Sequence, residues 1–574
     1  MLWMLGVLAC GSVSDPEGPE RREPTSSQGL DSGSCCPVTL DSTPSTPSGS
    51  TPTTGEPPDT GETADTGQPA PLPNVAAVFD VQPVPCAEPG LRTSEGPLEV
   101  IPLGAHPVST RHVWGGGLAG GDFDGDGAFE VVIATESGLE WREWDGTTLA
   151  VNDRVPKADL SMAVGATPAD VDGDGDLDLL VTRWEARNRL LRNDGGVFVD
   201  ATEGSGLRDE AMWTVSAALA DADGDGDLDL AIGNYGETPW FGVDRGQPSR
   251  LYLGNGDGTF TDVSERIAGW GEGWTFLLAW QDIDHDRLPE LLVLNDNASI
   301  APSLVLHNRG GTFVDAPGVS FFPGYDSMGQ GVGDIDHDGV PDFVQTTFAW
   351  PELRESEPGP SSLGVQWIDV ARARGLVHDS NRGQYFGWGT DLVDLDHDGD
   401  LDVPMVYGYW DTFPVASQSQ PEEDWYFDAL FVAEDGAYAD AAEAWGFDSY
   451  DAGRGLLVAD VDGDGWLDMV KRQLDAPDLL YRARCGEAAG LGVRLRMSGP
   501  NTHAVGAEVR ATVGGLTRTR WVGAGSTSLF TGAPPEAWLG LGEASETELT
   551  VVWPDGMVST QVVPTRSLVE VRRE

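Results

Sequence analysis

Seven short segments of this chain place aspartates at alternate positions, a pattern suited to holding a hard metal ion. Each segment reads Asp-x-Asp-x-Asp and has a further acid at its ninth position. Carboxylates about 4 Å apart repel one another by on the order of 4 kcal/mol per pair at an effective dielectric constant of about 20. A bound cation removes this repulsion. In chain order, the acids of the seven loops are Asp122, Asp124, Asp126 and Glu130; Asp170, Asp172, Asp174 and Asp178; Asp221, Asp223, Asp225 and Asp229; Asp282, Asp284, Asp286 and Glu290; Asp334, Asp336, Asp338 and Asp342; Asp394, Asp396, Asp398 and Asp402; Asp460, Asp462, Asp464 and Asp468.

The donor set favours Ca²⁺, which accepts six to eight oxygen ligands in flexible geometry. Six of the loops carry Gly at position six, where a left-handed backbone would strain a residue with a Cβ. The fourth loop has Arg287 there instead, which adds strain and a positive charge. The sequence therefore predicts up to seven Ca²⁺ ions, with the loop that begins at Asp282 the weakest site or an empty one. The alternative, ordinary solvated Asp-Gly turns, is disfavoured by the recurrence of the ninth-position acid.

The segments around each loop predict β-strands. A Gly- and Ala-rich apolar run precedes each loop and a short apolar stretch follows it, such as Val131–Ile133. An EF-hand would instead continue to an acid at position twelve and an exiting helix. The loops recur at intervals of 48 to 66 residues, which is room for the four strands of one propeller blade. We therefore predict an all-β chain with a seven-bladed β-propeller over residues 75–486, its small first-strand residues lining a crowded axis.

Two family resemblances follow from these motifs. The acidic loops, with downstream segments such as Gly258-Thr259-Phe260, resemble the VCBS and FG-GAP repeats of integrin-α-type β-propellers over residues 97–484. The resemblance implies loops that bind calcium. Residues 487–574 alternate in hydrophobicity, which predicts a small β-sandwich. Their Gly506-Ala507 and Trp553-Pro554-Asp555-Gly556 motifs resemble the ASPIC/UnbV domain. The combination is similar to the layout of the cartilage acidic protein family.

The N-terminal residues predict export. Residues 1–10 form an apolar stretch that ends in Ala9-Cys10 and resembles a bacterial lipoprotein signal, with Cys10 lipidated. Residues 11–74 are rich in Ser, Thr, Pro and Gly and predict a disordered stalk. We therefore expect secretion across the inner membrane and an outer-membrane or cell-surface lipoprotein. The formal charge is −60, which disfavours nucleic acid and anionic membranes as partners, so membrane contact is expected only through the lipid anchor.

Two cysteines flank the predicted propeller. Cys86 precedes the first blade and Cys485 follows the last. A closed ring brings these positions together, so one prediction is a disulfide that stabilises the ring by about 2 to 5 kcal/mol. The alternative is a pair of buried free thiols.

The sequence favours a non-catalytic protein that mediates adhesion or recognises an extracellular glycan or protein. It contains no Gly-x-Ser-x-Gly, His-Glu-x-x-His or Cys-x-x-Cys motif. Eight residues before several first loop aspartates stand aromatic side chains, at the end of the strand remote from the loop. The aromatic residues of this predicted ligand face are Trp114, Trp213, Trp274 and Phe386. The alternative role for them is packing between neighbouring blades.

The sequence leaves other functions open. Dense carboxylates suit an extracellular polysaccharide lyase or glycosidase on a propeller scaffold, and the UnbV resemblance suggests an envelope maturation or assembly factor. His285, His337 and His397 occupy position four of their loops, where Gly stands elsewhere. They are predicted to lie on solvent-facing turns, and a transition-metal role for them is a minor alternative.

Overall fold

The structure is a computed structural model, and part of the chain is described in it. It describes residues 73–84, 96–103 and 115–574, except 153, 155, 209, 237–245, 268–269, 271–272, 297–300, 317–318, 320–326, 348–349, 378–385, 409–426, 475 and 529. The predictions for Cys10, the stalk up to residue 72, Cys86 and Trp114 therefore lie outside the described residues.

Each acidic loop joins two antiparallel strands, as predicted. In the third repeat Met212–Ala220 leads into the loop and Asp229–Asn234 leaves it, with Ala220 paired to Asp229. Both strands are buried almost throughout. This burial explains why they read as nearly continuous apolar runs, since a strand covered on both faces does not need to alternate.

The strands form seven four-stranded antiparallel units among the described residues. We number the strands of a unit from the one that precedes its acidic loop. Unit 1 comprises Leu118–Gly121, Glu130–Thr135, Gly138–Trp144 and Leu149–Asn152; unit 2, Ala163–Ala169, Asp178–Ala186, Arg189–Asn193 and Phe198–Asp200; unit 3, Met212–Ala220, Asp229–Asn234, Arg250–Gly254 and Phe260–Asp262; unit 4, Thr275–Gln281, Glu290–Asn295, Leu304–Asn308 and Phe313–Asp315; unit 5, Ser327–Gly333, Asp342–Thr347, Glu352–Pro358 and Val365–Asp369; unit 6, Phe386–Thr390, Val403–Gly408, Ala429–Glu434 and Ala437–Asp440; unit 7, Gly453–Ala459, Asp468–Gln473, Leu479–Ala483 and, from the N-terminal part of the chain, Leu98–Pro102.

The first strands of successive units lie side by side. Each contacts the first strand of the next unit, and that of unit 7 contacts that of unit 1. The backbone N–H of Gly455 in unit 7 also donates to the carbonyl of Gly116 beside unit 1, at 3.2 Å. The outermost strand of unit 7, Leu98–Pro102, pairs antiparallel with Leu479–Ala483. The all-β, propeller-like fold is thus confirmed, and we interpret the seven units as its blades.

Helices are few and short among the described residues. Ala371–Arg374 and Ala442–Trp445 follow the outer strands of units 5 and 6, and the 3₁₀ turn Ser264–Arg266 follows that of unit 3. Both α-helices end at a glycine in the left-handed conformation, Gly375 and Gly446, as is common at helix C-termini. No helix in the described part of the chain is long and apolar enough to cross a membrane.

The C-terminal residues form two four-stranded sheets that share one core, as predicted for a small β-sandwich. The sheets contain Glu508–Val513, Leu516–Trp521, Glu546–Val552 and Val558–Pro564, and Gly490–Met497, Glu536–Gly540, Ser567–Arg573 and Val78–Pro83. The last of these strands comes from the N-terminal side of the predicted propeller and pairs with Ser567–Arg573. Residues 78–83, which the sequence assigns to the propeller, thus complete a sheet of the C-terminal domain.

A hairpin of the C-terminal domain enters the axis of the propeller. Its strands Ala524–Ser528 and Thr531–Gly532 together contact the first strands of all seven units. Backbone pairing fixes it there, since Gly525 pairs with Ala218 of unit 3 and Thr531 with Ala166 of unit 2. We call residues 524–528 and 530–532 the axial hairpin. At its tip Phe530 is 3% exposed and belongs to the largest apolar cluster of the propeller.

The small residues predicted at the axis make room for this hairpin. A Cβ on Gly117 would lie 2.4 Å from the carbonyl oxygen of Phe530, and one on Gly165 would lie 2.8 Å from the same atom. Contacts this short do not occur, so a larger residue at either position would displace the hairpin. The crowding at the axis has two sources, because a Cβ on Gly117 would also lie 2.5 Å from Cα of Gly165 in the neighbouring unit.

Candidate functional site

The acidic loops share one hydrogen-bonding pattern. The first aspartate accepts from the backbone N–H at position six, as in Gly175 to Asp170 at 2.8 Å and Gly399 to Asp394 at 2.8 Å. The fifth-position aspartate accepts from the N–H at position seven, as in Asp176 to Asp174 at 2.9 Å. These bonds wind the backbone around the carboxylates, so that their remaining oxygens converge inside the loop.

Left-handed backbone at position six is confirmed in every loop. The glycines there have φ between 86° and 107°, and Arg287 has φ 74°. Position four is left-handed as well, since His285, His337 and His397 have φ near 60°, at 59°, 64° and 63°. The sequence pattern of Gly at these positions therefore follows from backbone geometry.

The ninth-position acid fastens each loop to its blade, a role the sequence analysis missed. One carboxylate oxygen of Asp178 accepts from Val171 N at 2.9 Å, and the other from Asn193 N of the third strand at 2.7 Å. Asp402 repeats this arrangement with Leu395 and Ala433, both at 2.9 Å. The acid still lies close enough to join a metal site, since carboxylate oxygens of Asp170, Asp172 and Asp178 lie within 4.8 Å of one another.

The hydrogen bonds and ion pairs of the described residues do not fully stabilise the ionised carboxylates of the acidic loops. Burial raises the pKa of Glu130 to about 7, of Asp178 and Asp229 to about 8, and of Glu290 to about 9. Five loop oxygens are buried without a hydrogen-bond partner among the described residues: one Oδ1 each of Asp172, Asp223, Asp282, Asp334 and Asp394. Buried carboxylates that lack partners are unfavourable, so the residues present fit a bound cation.

In EGTA, acidification from pH 8 to pH 6 is expected to raise the melting temperature. The buried loop acids have folded-state pKa values above their unfolded values near 4, so the folded protein binds more protons than the unfolded chain. Stability then falls as the pH rises through this window and increases on acidification. Calorimetry between pH 5 and pH 9 measures the trend, and excess Ca²⁺ should weaken or reverse it. A melting temperature in EGTA that falls on acidification would contradict the raised pKa values of the buried loop acids.

The C-terminal domain covers the loop side of the propeller. Thr502 donates to Asp170 in the second loop, and Gly542 N donates to the carbonyl of His397 in the sixth at 2.8 Å. In the fourth loop Nη1 of Arg287 donates to the carbonyl of Asp555 at 3.0 Å. Arg287 is strained as predicted, but its charge is directed at the C-terminal domain. Whether this loop is the weakest calcium site stays a prediction.

The three loop histidines differ from one another in exposure. His285 is 40% exposed at its side chain and lies 3.3 Å from Glu508 of the C-terminal domain. His337 is half-buried, and His397 is 2% exposed and stacks on Trp466 with centroids 4.1 Å apart. The predicted solvent-facing position is therefore wrong for His397. The covering domain is the physical reason, and the loop sequence alone carries no sign of it.

The three described residues of the predicted ligand face lie at the other end of the first strands. Trp213 precedes Asp221 by eight residues, which is about 26 Å along a strand. Trp213, Trp274 and Phe386 are half-buried and pack on the large axial cluster. They are neither fully buried between sheets nor fully exposed, so their role in binding stays a prediction.

Sequence reasoning missed the partners of these aromatic residues. Trp184, from the second strand of unit 2, stacks on Trp213 with centroids 4.3 Å apart. Tyr235, just after the second strand of unit 3, lies 5.3 Å from Trp274 between centroids. The sequence does contain a sign of these partners, namely an aromatic residue at the end of a second strand. The second strand runs antiparallel to the first, so its end lies beside the start of the first strand. We call Trp184, Trp213, Tyr235 and Trp274 the aromatic patch.

Two further features lie near the loop side. A cavity of about 190 Å³ lies between the propeller and the C-terminal domain, with Gln330 and Trp521 in its lining. The side-chain amide of Gln330 and Nε1 of Trp521 have no partner among the described residues, and the space suffices for about six waters. Cys485 is disulfide-bonded and 5% exposed. Its predicted partner, Cys86, lies outside the described residues.

Comparison with known families identifies both parts of the chain. Residues 122–181, 170–232 and 282–344 match the FG-GAP-like repeat, and residues 213–253 match the FG-GAP repeat. Residues 497–573 match the ASPIC and UnbV domain. The chain is therefore a β-propeller protein with FG-GAP repeats and a C-terminal ASPIC/UnbV domain. No curated protein matches it in sequence.

Solved structures resemble this chain only distantly. A lectin of Agrocybe aegerita, described as recognising non-reducing terminal N-acetylglucosamine, is 16% identical with a TM-score of 0.37, over 69% of this chain and all of that one. BBS1N in complex with ARL6DN is 10% identical with a TM-score of 0.38, over 67% and 97%. Bacillus licheniformis rhamnogalacturonan lyase PL11 is 13% identical with a TM-score of 0.33, over 68% and 76%. Such low scores do not bear on function.

Proposed function

We propose that this protein is a calcium-binding, non-catalytic β-propeller that recognises an extracellular glycan or protein. The observation that carries the calcium part is the set of buried loop oxygens without partners, among them Oδ1 of Asp334 and of Asp394. Asp334 is 2% exposed and Asp394 is 5% exposed. Ca²⁺ suits such oxygen-rich loops, and it would replace the hydrogen bonds that these atoms lack.

Calcium in this proposal holds the blades and supports the domain interface. In units 2 to 7 the ninth-position acid accepts a backbone hydrogen bond from the third strand of its blade. The second and sixth loops bond directly to the C-terminal domain. Ions in the loops would neutralise the carboxylates on which these contacts depend. Their role is therefore structural, and they do not contact the partner.

Recognition is assigned to the aromatic patch, because the C-terminal domain covers the loop side. Trp213 and Trp274 keep part of their surface exposed, whereas Nε1 of Trp274 is buried and has no hydrogen-bond partner among the described residues. The exposed part of a tryptophan ring offers flat apolar area, which is frequent at binding surfaces. Sugar rings and peptide side chains both suit such a surface.

Replacement of Trp213 by Ala is expected to weaken partner binding at least tenfold in Ca²⁺, because it removes one face of the stacked pair with Trp184. A tenfold loss corresponds to about 1.4 kcal/mol. Glycan arrays and pull-downs from envelope extracts identify the partner, and titration of that partner gives the affinities. Trp144→Ala is the matched control, since this tryptophan is half-buried on a third strand away from the patch. Equal affinities for wild type and Trp213→Ala would overturn the assignment to the patch.

A further inference from the structure

The fourth acidic loop has a histidine from outside the loop beside its carboxylates, in addition to His285 within it. Asp284, Glu290 and His307 each offer one ligand atom, and these atoms lie within 4.8 Å of one another. Nε2 of His307 lies 3.5 Å from Oδ2 of Asp284. His307 is not part of the acidic motif, which is why the sequence pattern did not indicate it.

Strand register places His307 beside the loop. It belongs to the third strand of unit 4, and the pairing of Leu291 with Leu306 sets it opposite Glu290, the ninth-position acid. The position opposite the ninth acid thus points a side chain towards the third-position aspartate. A histidine there supplies a nitrogen ligand from outside the loop.

The equivalent position carries arginine in two other units. The pairing of Leu179 with Leu191 sets Arg192 opposite the ninth acid of unit 2, and Nε of Arg192 lies 3.7 Å from Oδ2 of Asp172. In unit 7 Arg482 forms the same kind of ion pair with Asp462. These side chains bring a fixed positive charge to their loops. Unit 4 instead presents an imidazole, which is able to bind a metal ion when neutral.

The imidazole is buried and incompletely paired. His307 is 9% exposed and Glu290 is fully buried. Nδ1 of His307 and Oδ1 of Asp282 have no hydrogen-bond partner among the described residues. The guanidinium of Arg287, at position six of the same loop, is directed at the C-terminal domain, where its Nη1 donates to the carbonyl of Asp555. Unit 4 therefore combines buried acids with a buried imidazole, and its arginine bonds to the C-terminal domain.

We infer that unit 4 holds a transition-metal ion of the zinc class in place of Ca²⁺, with Asp284, Glu290 and His307 as ligands. Calcium prefers oxygen donors alone, whereas imidazole suits zinc and its neighbours. Zinc forms bonds of about 2.0 to 2.2 Å to imidazole nitrogen and carboxylate oxygen, so ligand atoms this near one another need only small shifts. The inference rests on the proposed function insofar as it takes the acidic loops to be cation sites.

Titration of the full chain with Co²⁺ in excess Ca²⁺ tests the inference. Calcium fills the all-oxygen loops, and Co²⁺ absorbs visible light with an intensity that depends on its ligands. We expect about one equivalent of tightly bound Co²⁺, displaced by Zn²⁺, and at least a tenfold loss of affinity in His307→Gln. His337→Gln, which removes a loop histidine of unit 5 outside the proposed ligand set, should bind like the wild type. Circular dichroism establishes that each variant is folded.

A second variant tests whether a histidine opposite the ninth-position acid is enough to create a metal site in another unit. Leu253 stands opposite the ninth acid of unit 3, as the pairing of Leu230 with Tyr252 shows, so Leu253→His should create a second cobalt site. Absence of stoichiometric Co²⁺ in the wild type, or unchanged binding in His307→Gln, would overturn the inference. Calcium stoichiometry from equilibrium dialysis is a separate measurement. Failure to bind Ca²⁺ would reject the proposed function without touching the cobalt result.

Discussion

Removal of Ca²⁺ with EGTA is expected to lower the melting temperature of this protein by about 10 °C or more. An ion at a hundred times its Kd stabilises the folded state by about 2.7 kcal/mol per site, so several occupied loops contribute on the order of 10 kcal/mol. Without the ion, the buried carboxylates of Asp334 and Asp394 lose their counter-charge. Differential scanning calorimetry in Ca²⁺, in EGTA and after re-addition of Ca²⁺ measures the effect.

A pair of variants distinguishes stabilisation by Ca²⁺ in the loops from an effect of Ca²⁺ on the general surface charge. Asp394→Asn should reduce the Ca²⁺-dependent gain in melting temperature, because it removes a buried loop carboxylate. Asp315→Asn removes an exposed acid on an outer strand and should leave the gain unchanged. Identical melting temperatures in Ca²⁺ and in EGTA would reject calcium as a stabilising ligand. Partner binding that disappears in EGTA only in step with unfolding would show that calcium acts on structure alone.

Replacement of Phe530 by Ala is expected to lower the free energy of unfolding by about 3 to 5 kcal/mol, the usual cost of truncating a buried phenylalanine. Phe530 is 3% exposed at the tip of the axial hairpin and packs in the largest apolar cluster of the propeller. The cavity left behind would lie on the axis, where seven first strands meet. The blades cannot move inward to fill it without breaking their own pairing.

Chemical denaturation monitored by tryptophan fluorescence measures this loss. Val562→Ala is the control, because Val562 is 55% exposed in the C-terminal domain and exposed substitutions usually change stability by less than about 0.5 kcal/mol. A loss below about 1 kcal/mol for Phe530→Ala would mean that the hairpin is only loosely held. In that case the propeller and the C-terminal domain should also unfold in separate transitions.

The repeated parts of the fold were predictable because each is specified locally. The loop beginning at Asp221 fixes the turn, the small apolar run before it fixes the first strand, and Leu230–Ile232 fixes the second. The left-handed backbone at position six was also predictable, because the glycine that favours it stands at that position. A pattern that recurs in seven copies averages out the ambiguity of any single strand.

The parts that were missed depend on residues far apart in the chain. The axial hairpin reads as an ordinary pair of short strands, and nothing in its sequence indicates that Phe530 fills a propeller axis. The burial of His397 depends on a domain almost 100 residues away, which reaches it through Gly490 and Gly542. His307 becomes visible only when the register opposite Glu290 is known. Long-range pairing, not local propensity, decides these positions.

The strand Leu98–Pro102 imposes a delay on folding during synthesis. Its partner strand begins at Leu479, and Leu98 itself pairs with Ala483, 385 residues later. At about 5 to 20 residues per second, the ribosome needs roughly 20 to 80 s to make that partner. The axial hairpin and Ser567–Arg573, which pairs with Val78–Pro83, emerge later still. For that time the early strands have unpaired edges, which are open to pairing with other chains.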